Sequence, residues 1–149
     1  MTALETVFKN EGYDTLSFSF NTKGHPIIDI QIMGRDAAFL LDTGAASNVI
    51  DSTFAQTLSL PLYPTGQKGG GAGGLLFDIY ITSALQLRCQ NHLFSFDQFL
   101  AMDLATIRAA LKAKGETRYF QGILGFDFFK KNKCFIDYEN ERVFFKNAF

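Results

Sequence analysis

Asp42, Thr43 and Gly44 form a lone Asp-Thr-Gly triplet that follows directly on the apolar run Ala37-Ala38-Phe39-Leu40-Leu41. A carboxylate delivered by an apolar strand onto a tight turn is expected to be partly withdrawn from water, the setting in which an acid becomes a candidate proton-transfer catalyst. The triplet alone is also ordinary turn chemistry, because Asp before a small residue and Gly bends a chain readily. Acid–base work by two carboxylates needs a second Asp, and one triplet per chain makes a second copy of the chain its source. The motif therefore bears on assembly as well as on mechanism.

Other chemistries lack their parts. His25 and His92 stand alone near turns and read as surface residues; no serine sits in a Gly-x-Ser-x-Gly elbow, which excludes a Ser/His mechanism of that type. Cys89 and Cys134 fall in apolar, strand-like contexts without a Cys-x-x-Cys or Cys/His cluster, so buried thiols are expected rather than metal ligands. The glycines of 69–74 satisfy Gly-x-Gly-x-x-Gly at Gly69, Gly71 and Gly74, yet a dinucleotide site needs a strand before that run and a helix after it. Here a strand is expected to follow. Gly69, Gly70, Gly71, Ala72, Gly73 and Gly74 read instead as the head of a β-hairpin, a mobile flap whose bare backbone can close over an extended ligand.

The bulk properties narrow the class. A chain of 149 residues, 47% apolar and without a Pro-rich or Gly/Ser-rich linker, suits one domain over 1–149. A net charge of -1 offers no basic field for nucleic acid or an anionic membrane. The start, Met1-Thr2-Ala3-Leu4-Glu5-Thr6, lacks the basic flank and apolar stretch of a secretory signal, and no segment is long enough to span a bilayer, so a cytoplasmic location is the expectation. Seventeen Phe and five Tyr, punctuated by frequent turn residues, favour an all-β fold.

Local patterns place the motif on sheet. Leu16, Phe18 and Phe20 alternate with serines, and Ile27 to Ile32 alternates Ile with Asp29 and Gln31, both with the period of a half-buried strand. Met33-Gly34-Arg35-Asp36 turns the second of these back into 37–41, a hairpin that ends at Asp42. Asp51 or Ser52 can cap a short helix over 53–58, and Pro61 and Pro64 then force extended chain. Strands are expected over 75–81 and 84–89, with the β pattern continuing through Phe94, Phe96 and Phe99. A helix over 103–114 is marked by Asp103 at its start, an apolar stripe of Leu104, Ile107, Ala110 and Leu111, and Gly115 beyond its end. Ile123-Leu124 reads as a short buried strand, 126–131 as a brief helix with Asp127 satisfying its first amides, and 134–138 with 143–146 as a final hairpin.

Together, Phe-Leu-Leu-Asp-Thr-Gly-Ala at 39–45, the Gly-rich run, Gly-Ile-Leu-Gly-Phe-Asp-Phe-Phe at 122–129 and Phe-Ile-Asp-Tyr at 135–138 resemble the retropepsin-like aspartic proteases, single-lobed relatives of pepsin. The resemblance runs from about Ile27 to the final hairpin. It implies a closed acid-protease barrel with a flap hairpin and two or three short helices, assembled as a homodimer. It further implies an endopeptidase that needs no metal or organic cofactor and takes peptide or protein as its substrate. Asp42 would be catalytic, Thr43 would lock the two subunits, and Gly44 and Ala45 would touch substrate backbone. Retroviral members often carry acids after this motif where Ala46, Ser47 and Asn48 stand here, so their subsite contacts do not transfer. The helix over 103–114 exceeds what minimal retroviral members possess. A catalytically silent dimerisation or peptide-binding module of the same fold is the alternative, and the apolar tail Val143-Phe144-Phe145 is a candidate contact between copies.

Overall fold

The computed structural model describes residues 1–70 and 76–147. Helix α1 (Ala3–Asn10) leads into strands β1 (Asp14–Ser17), β2 (Ser19–Phe20), β3 (Pro26–Ile32), β4 (Arg35–Leu41) and β5 (Val49–Asp51), then helix α2 (Ser52–Thr57). Strands β6 (Leu62–Gly70), β7 (Leu76–Thr82), β8 (Leu85–Cys89), β9 (His92–Phe96) and β10 (Leu100–Met102) precede helix α3 (Ala105–Ala113). Strand β11 (Gly122–Leu124), helix α4 (Phe126–Lys131) and strands β12 (Phe135–Asp137) and β13 (Arg142–Phe145) complete the order. Among the described residues the architecture is mostly β, as expected, with four helices rather than two or three.

The extra helix is α1. Its start is a capping box: Glu5 N–H donates to Thr2 Oγ1 at 3.1 Å, and Thr2 N–H donates to Glu5 Oε2 at 3.3 Å. Its one aromatic, Phe8, stacks on Phe144 with ring centroids 4.2 Å apart, which fastens the helix to β13.

Two sheets carry the strands. The smaller runs β1-β13-β12, all antiparallel; the larger runs β6-β7-β10-β5-β11-β4-β3-β8-β9, with β2 paired to β3. The β3–β4 turn is a two-residue loop, since Ile32 faces Arg35, and both its residues have positive φ, Met33 at 51° and Gly34 at 77°. That twist matches the flanking strands, and it fixes a register in which Phe39 and Leu41 face the core while Leu40 faces the other way.

One core cluster takes residues from both sheets and from α2 and α4, so the larger sheet wraps around it. Its aromatic spine explains the abundance of Phe. Phe39 meets Phe99, Phe99 meets Phe96, Phe96 and Phe94 meet Phe128 of α4, and Phe94 meets Phe145, with centroid separations from 5.1 to 6.3 Å. Val143, Phe144 and Phe145 are 0%, 1% and 0% exposed within their own chain. The expectation that this tail contacts a second copy is therefore corrected: alternate strand faces and α1 bury it internally.

Candidate active site

Strand β11 is inserted between β4 and β5, parallel to the first and antiparallel to the second. A residue's width decides whether this can happen. A Cβ on Gly122 would lie 2.4 Å from the Phe39 ring and 2.6 Å from the Val49 carbonyl oxygen, so only glycine lets the central strand sit this close. The insertion brings the end of β11 against the loop 42–48 that follows β4.

Backbone and side-chain bonds fasten the two segments. Asp42 N–H donates to the Leu124 carbonyl at 2.9 Å, extending the β4–β11 ladder by one residue. Phe126 N–H donates to the Ala45 carbonyl at 2.8 Å, and Gly125 N–H donates to Asn48 Oδ1 at 2.9 Å. Gly125 is confined by the carbonyls of Ala45 and Ser47, each 2.7 Å from where its Cβ would stand. The Asn48 carbonyl in turn accepts from Leu100 N–H at 3.0 Å, tying the loop to β10.

Within the loop the chain turns tightly, with Ala45 N–H donating to the Asp42 carbonyl at 3.1 Å. Gly44 N–H donates to Asp42 Oδ1 at 2.9 Å, a bond that aims the carboxyl group. Asp42, Thr43 and Gly44 are exposed and Ala45 is half-buried. The expected withdrawal of Asp42 from water is thus corrected for the single chain. The ladder ends at this residue, and the turn lifts its side chain clear of the apolar strand. A groove of about 660 Å³ lined by Asp29, Gln31, Asp36, Arg88 and Tyr119 lies over β3 and β4 and does not include Asp42.

Of the Gly-rich run, Gly69 and Gly70 end β6 and pair with Phe77 and Leu76 of β7. Gly71, Ala72, Gly73 and Gly74 lie outside the described residues. The hairpin leading to them is joined by an exposed ion pair, Lys68 Nζ to Asp78 Oδ1 at 3.6 Å.

Three residues carry roles that the sequence did not disclose. Asn48 is 2% exposed, and its Nδ2 has no partner among the described residues. Asp51 does cap α2 through Phe54 N–H at 3.4 Å, but it also accepts from Leu104 N–H at 3.0 Å and from Arg108 Nη2 at 3.4 Å. Arg108 completes this by reaching the Phe120 carbonyl and stacking over the Tyr119 ring, 4.4 Å from its centroid. Asp103, expected to cap α3, accepts from Ala105 N–H at 2.9 Å, while Leu104 holds the cap position itself. His25 and His92 are half-buried rather than on the surface: His25 N–H donates to Asn21 Oδ1, and His92 stands edge-on to Phe145. No helix among the described residues is long and apolar enough to cross a membrane.

The family profile described as aspartyl protease matches residues 28–128, a span that contains the triplet, the hairpin, α3 and the inserted strand. The chain belongs to the aspartyl protease family. The fold is shared with solved structures. A retropepsin-like aspartic protease from Rickettsia conorii superposes with a TM-score of 0.62 at 17% identity, over 88% of this chain and 98% of that one. EIAV protease, solved in complex with the inhibitor HBY-793, gives 0.53 at 21% identity, over 75% and 91%. The retroviral protease-like domain of Ddi1 from Leishmania major gives 0.54 at 13% identity, over 83% and 90%. No curated protein sequence matches the chain.

Proposed function

We propose that this aspartyl protease relative is an endopeptidase, acting as one domain over 1–149, in which Asp42 pairs with Asp42 of a second copy across a twofold axis. The observation that carries the reading is the setting of Asp42. It is an exposed carboxylate, aimed by the Gly44 amide at 2.9 Å and fixed by the Leu124 carbonyl, on a loop stapled to the inserted strand. A rigid, solvent-facing carboxylate with one copy per chain is half of a catalytic pair.

Two carboxyl groups brought into contact share one proton, because two like charges at that distance cannot both ionise cheaply; aspartic proteases as a class are the general example. The ionised member takes a proton from a water as that water attacks the scissile carbonyl carbon, and the protonated member donates to the carbonyl oxygen. The roles then reverse as the amine leaves. Thr43 locks the two loops, and Gly44 and Ala45 meet substrate backbone. The β6–β7 hairpin, with Gly69 and Gly70 at its described end, serves as the flap that pairs with an extended peptide in the manner of strand addition.

The test is digestion of a peptide library by the parental chain and by Asp42→Asn, with and without a hydroxyl-bearing peptidomimetic inhibitor, alongside sedimentation across a concentration series. Cleavage that disappears in the variant and with inhibitor, in a chain that self-associates, is the expected result. An Asp42→Asn chain that cuts at the parental rate removes the proposal. A chain that binds peptides and never cuts them is the silent module instead.

A further inference from the structure

Arg88, Gln31 and Asp36 form one row across three strands. Gln31 of β3 faces Arg88 of β8 on one side and Asp36 of β4 on the other, so the three exposed side chains project from the same face. Gln31 Nε2 donates to Asp36 Oδ1 at 3.0 Å. Arg88 and Asp36 are left as opposite charges about 10 Å apart at the backbone. Neither is in an ion pair among the described residues.

The neighbouring row carries no free charge. Asp29 faces Ala38, and its carboxylate is already met by Arg118 Nη2 at 2.6 Å. On the other side of Ala38, Gln121 stands where a strand neighbour would. Its amide donates to the Ala38 carbonyl at 2.8 Å, and its Oε1 accepts from Ala38 N–H at 2.7 Å. These two rows line the groove of about 660 Å³ over β3 and β4, which Arg88 bounds on the β8 side and Tyr119 with Gln121 on the β11 side.

The groove lies within reach of a chain that passes Asp42. Asp36 and Ala38 precede Asp42 by six and four residues on the run that ends there, about 20 and 13 Å along the strand. An extended peptide advances at the same rate, about 3.3 Å per residue. Residues four to six positions from a bond held at Asp42 therefore span the distance.

We infer that this groove is an exosite for the polypeptide substrate, holding a segment outside the cleft that sets an acidic side chain against Arg88 and a basic one against Asp36. The inference rests on the proposed peptidase reading for the identity of the ligand. Two uncompensated charges of opposite sign call for a ligand that carries both, and a groove crossing three strands suits an elongated one. Charges at such a site add to encounter and choice of partner rather than to the chemical step. The twofold of the proposed pair supplies a groove for each end of the substrate.

The test uses Arg88→Asp, Asp36→Arg and the double exchange, with Lys9→Glu, exposed on α1, as the control. Folding of each variant is checked by thermal melting. The substrates are a six-residue peptide and the same peptide lengthened by eight residues at either end. The extension carries Glu-x-Lys, Lys-x-Glu or two serines in their place, since residues two apart in an extended chain project to one side. KM and kcat are measured for each, and binding of each extension alone is followed by fluorescence anisotropy.

The parental chain and Lys9→Glu are expected to show a KM roughly fivefold lower for one charged order than for the serine extension, an advantage that shrinks as salt is raised. Each single exchange removes the advantage, and the double exchange restores it for the opposite order. Cleavage of the six-residue peptide stays the same throughout. Equal KM for charged and serine extensions in a parental chain that cuts them overturns the exosite and leaves the peptidase reading intact. Extension binding that follows Arg88 and Asp36 in a chain that cuts nothing supports the groove and overturns the peptidase. A chain that neither binds nor cuts overturns both.

Discussion

Asn48 and Gly125, 77 positions apart, are joined by a 2.9 Å hydrogen bond from the Gly125 amide to the Asn48 side-chain oxygen. The bond closes the loop that bears Asp42 onto the start of α4, and it is buried at both ends. Asn48 keeps it at a cost, because its Nδ2 is buried without a partner among the described residues.

Replacing Asn48 with Ala leaves the buried Gly125 amide without an acceptor. The expected loss of stability is roughly 1–3 kcal/mol, read from denaturant unfolding. If the peptidase reading holds, kcat falls more than KM rises, because the loop loses the position of Asp42 rather than a substrate contact. An Asn48→Ala chain with parental kcat would show that the loop is held adequately by the Leu124 and Ala45 bonds.

Asp51, 1% exposed, anchors two helices by accepting three hydrogen bonds, from Phe54 N–H, Leu104 N–H and Arg108 Nη2. Replacing it with Ala leaves Arg108, whose side chain is 14% exposed, without its counter-charge. The expected destabilisation is about 3 kcal/mol or more, larger than for an exposed pair such as Lys68–Asp78. Equal unfolding midpoints for Asp51→Ala and Asp78→Ala would contradict the role assigned to Asp51.

Glu116 supplies a pH dependence. Burial pushes its carboxyl group up, but amides donated by Arg118, Lys23, Thr22 and Thr117 outweigh this and hold it below its usual 4.5. The folded chain therefore releases this proton more readily than the unfolded chain. The stability contributed is fully present above about 4.5 and is lost as pH falls below that value through the folded one. Comparing Tm for the parental chain and Glu116→Gln, the gap is expected at pH 7 and should shrink by pH 3. A gap of the same size at both pH values rejects it.

Burial pushes both thiols up, Cys89 to about 12 with help from the Asp29 charge, and Cys134 to about 12. Both are free. At pH 8 the folded chain is expected to react with iodoacetamide far more slowly than the denatured chain, followed by mass shift. Alkylation of either cysteine at the denatured rate would place it at the surface.

The strands of the site were legible because their signal is local. Ile27 to Ile32 and Ala37 to Leu41 show the two-residue period directly, and the β3–β4 loop is short enough for its own residues to set the register. α4 falls at 126–131 as expected, and α3 begins two residues later and ends one earlier than its pattern suggested. Helix α1 was not read from the sequence, although Thr2 and Glu5 stand at capping-box spacing and Leu4, Val7 and Phe8 share one helical face.

What the chain alone determined is the chemistry on offer: one Asp-Thr-Gly at the end of an apolar strand, a run of glycines within 69–74, and a family likeness distributed over most of its length. Only the tertiary structure decided where these meet. Nothing near Gly122 in sequence says that it slips between Phe39 and Val49. Nothing near Asp51 says that its carboxylate reaches Leu104 and Arg108, and nothing in Val143-Phe144-Phe145 says that the chain itself covers them. Periodicity reports which side of a strand is apolar; the partner across that side is set by packing between residues tens of positions apart, and that is decided by the whole core at once.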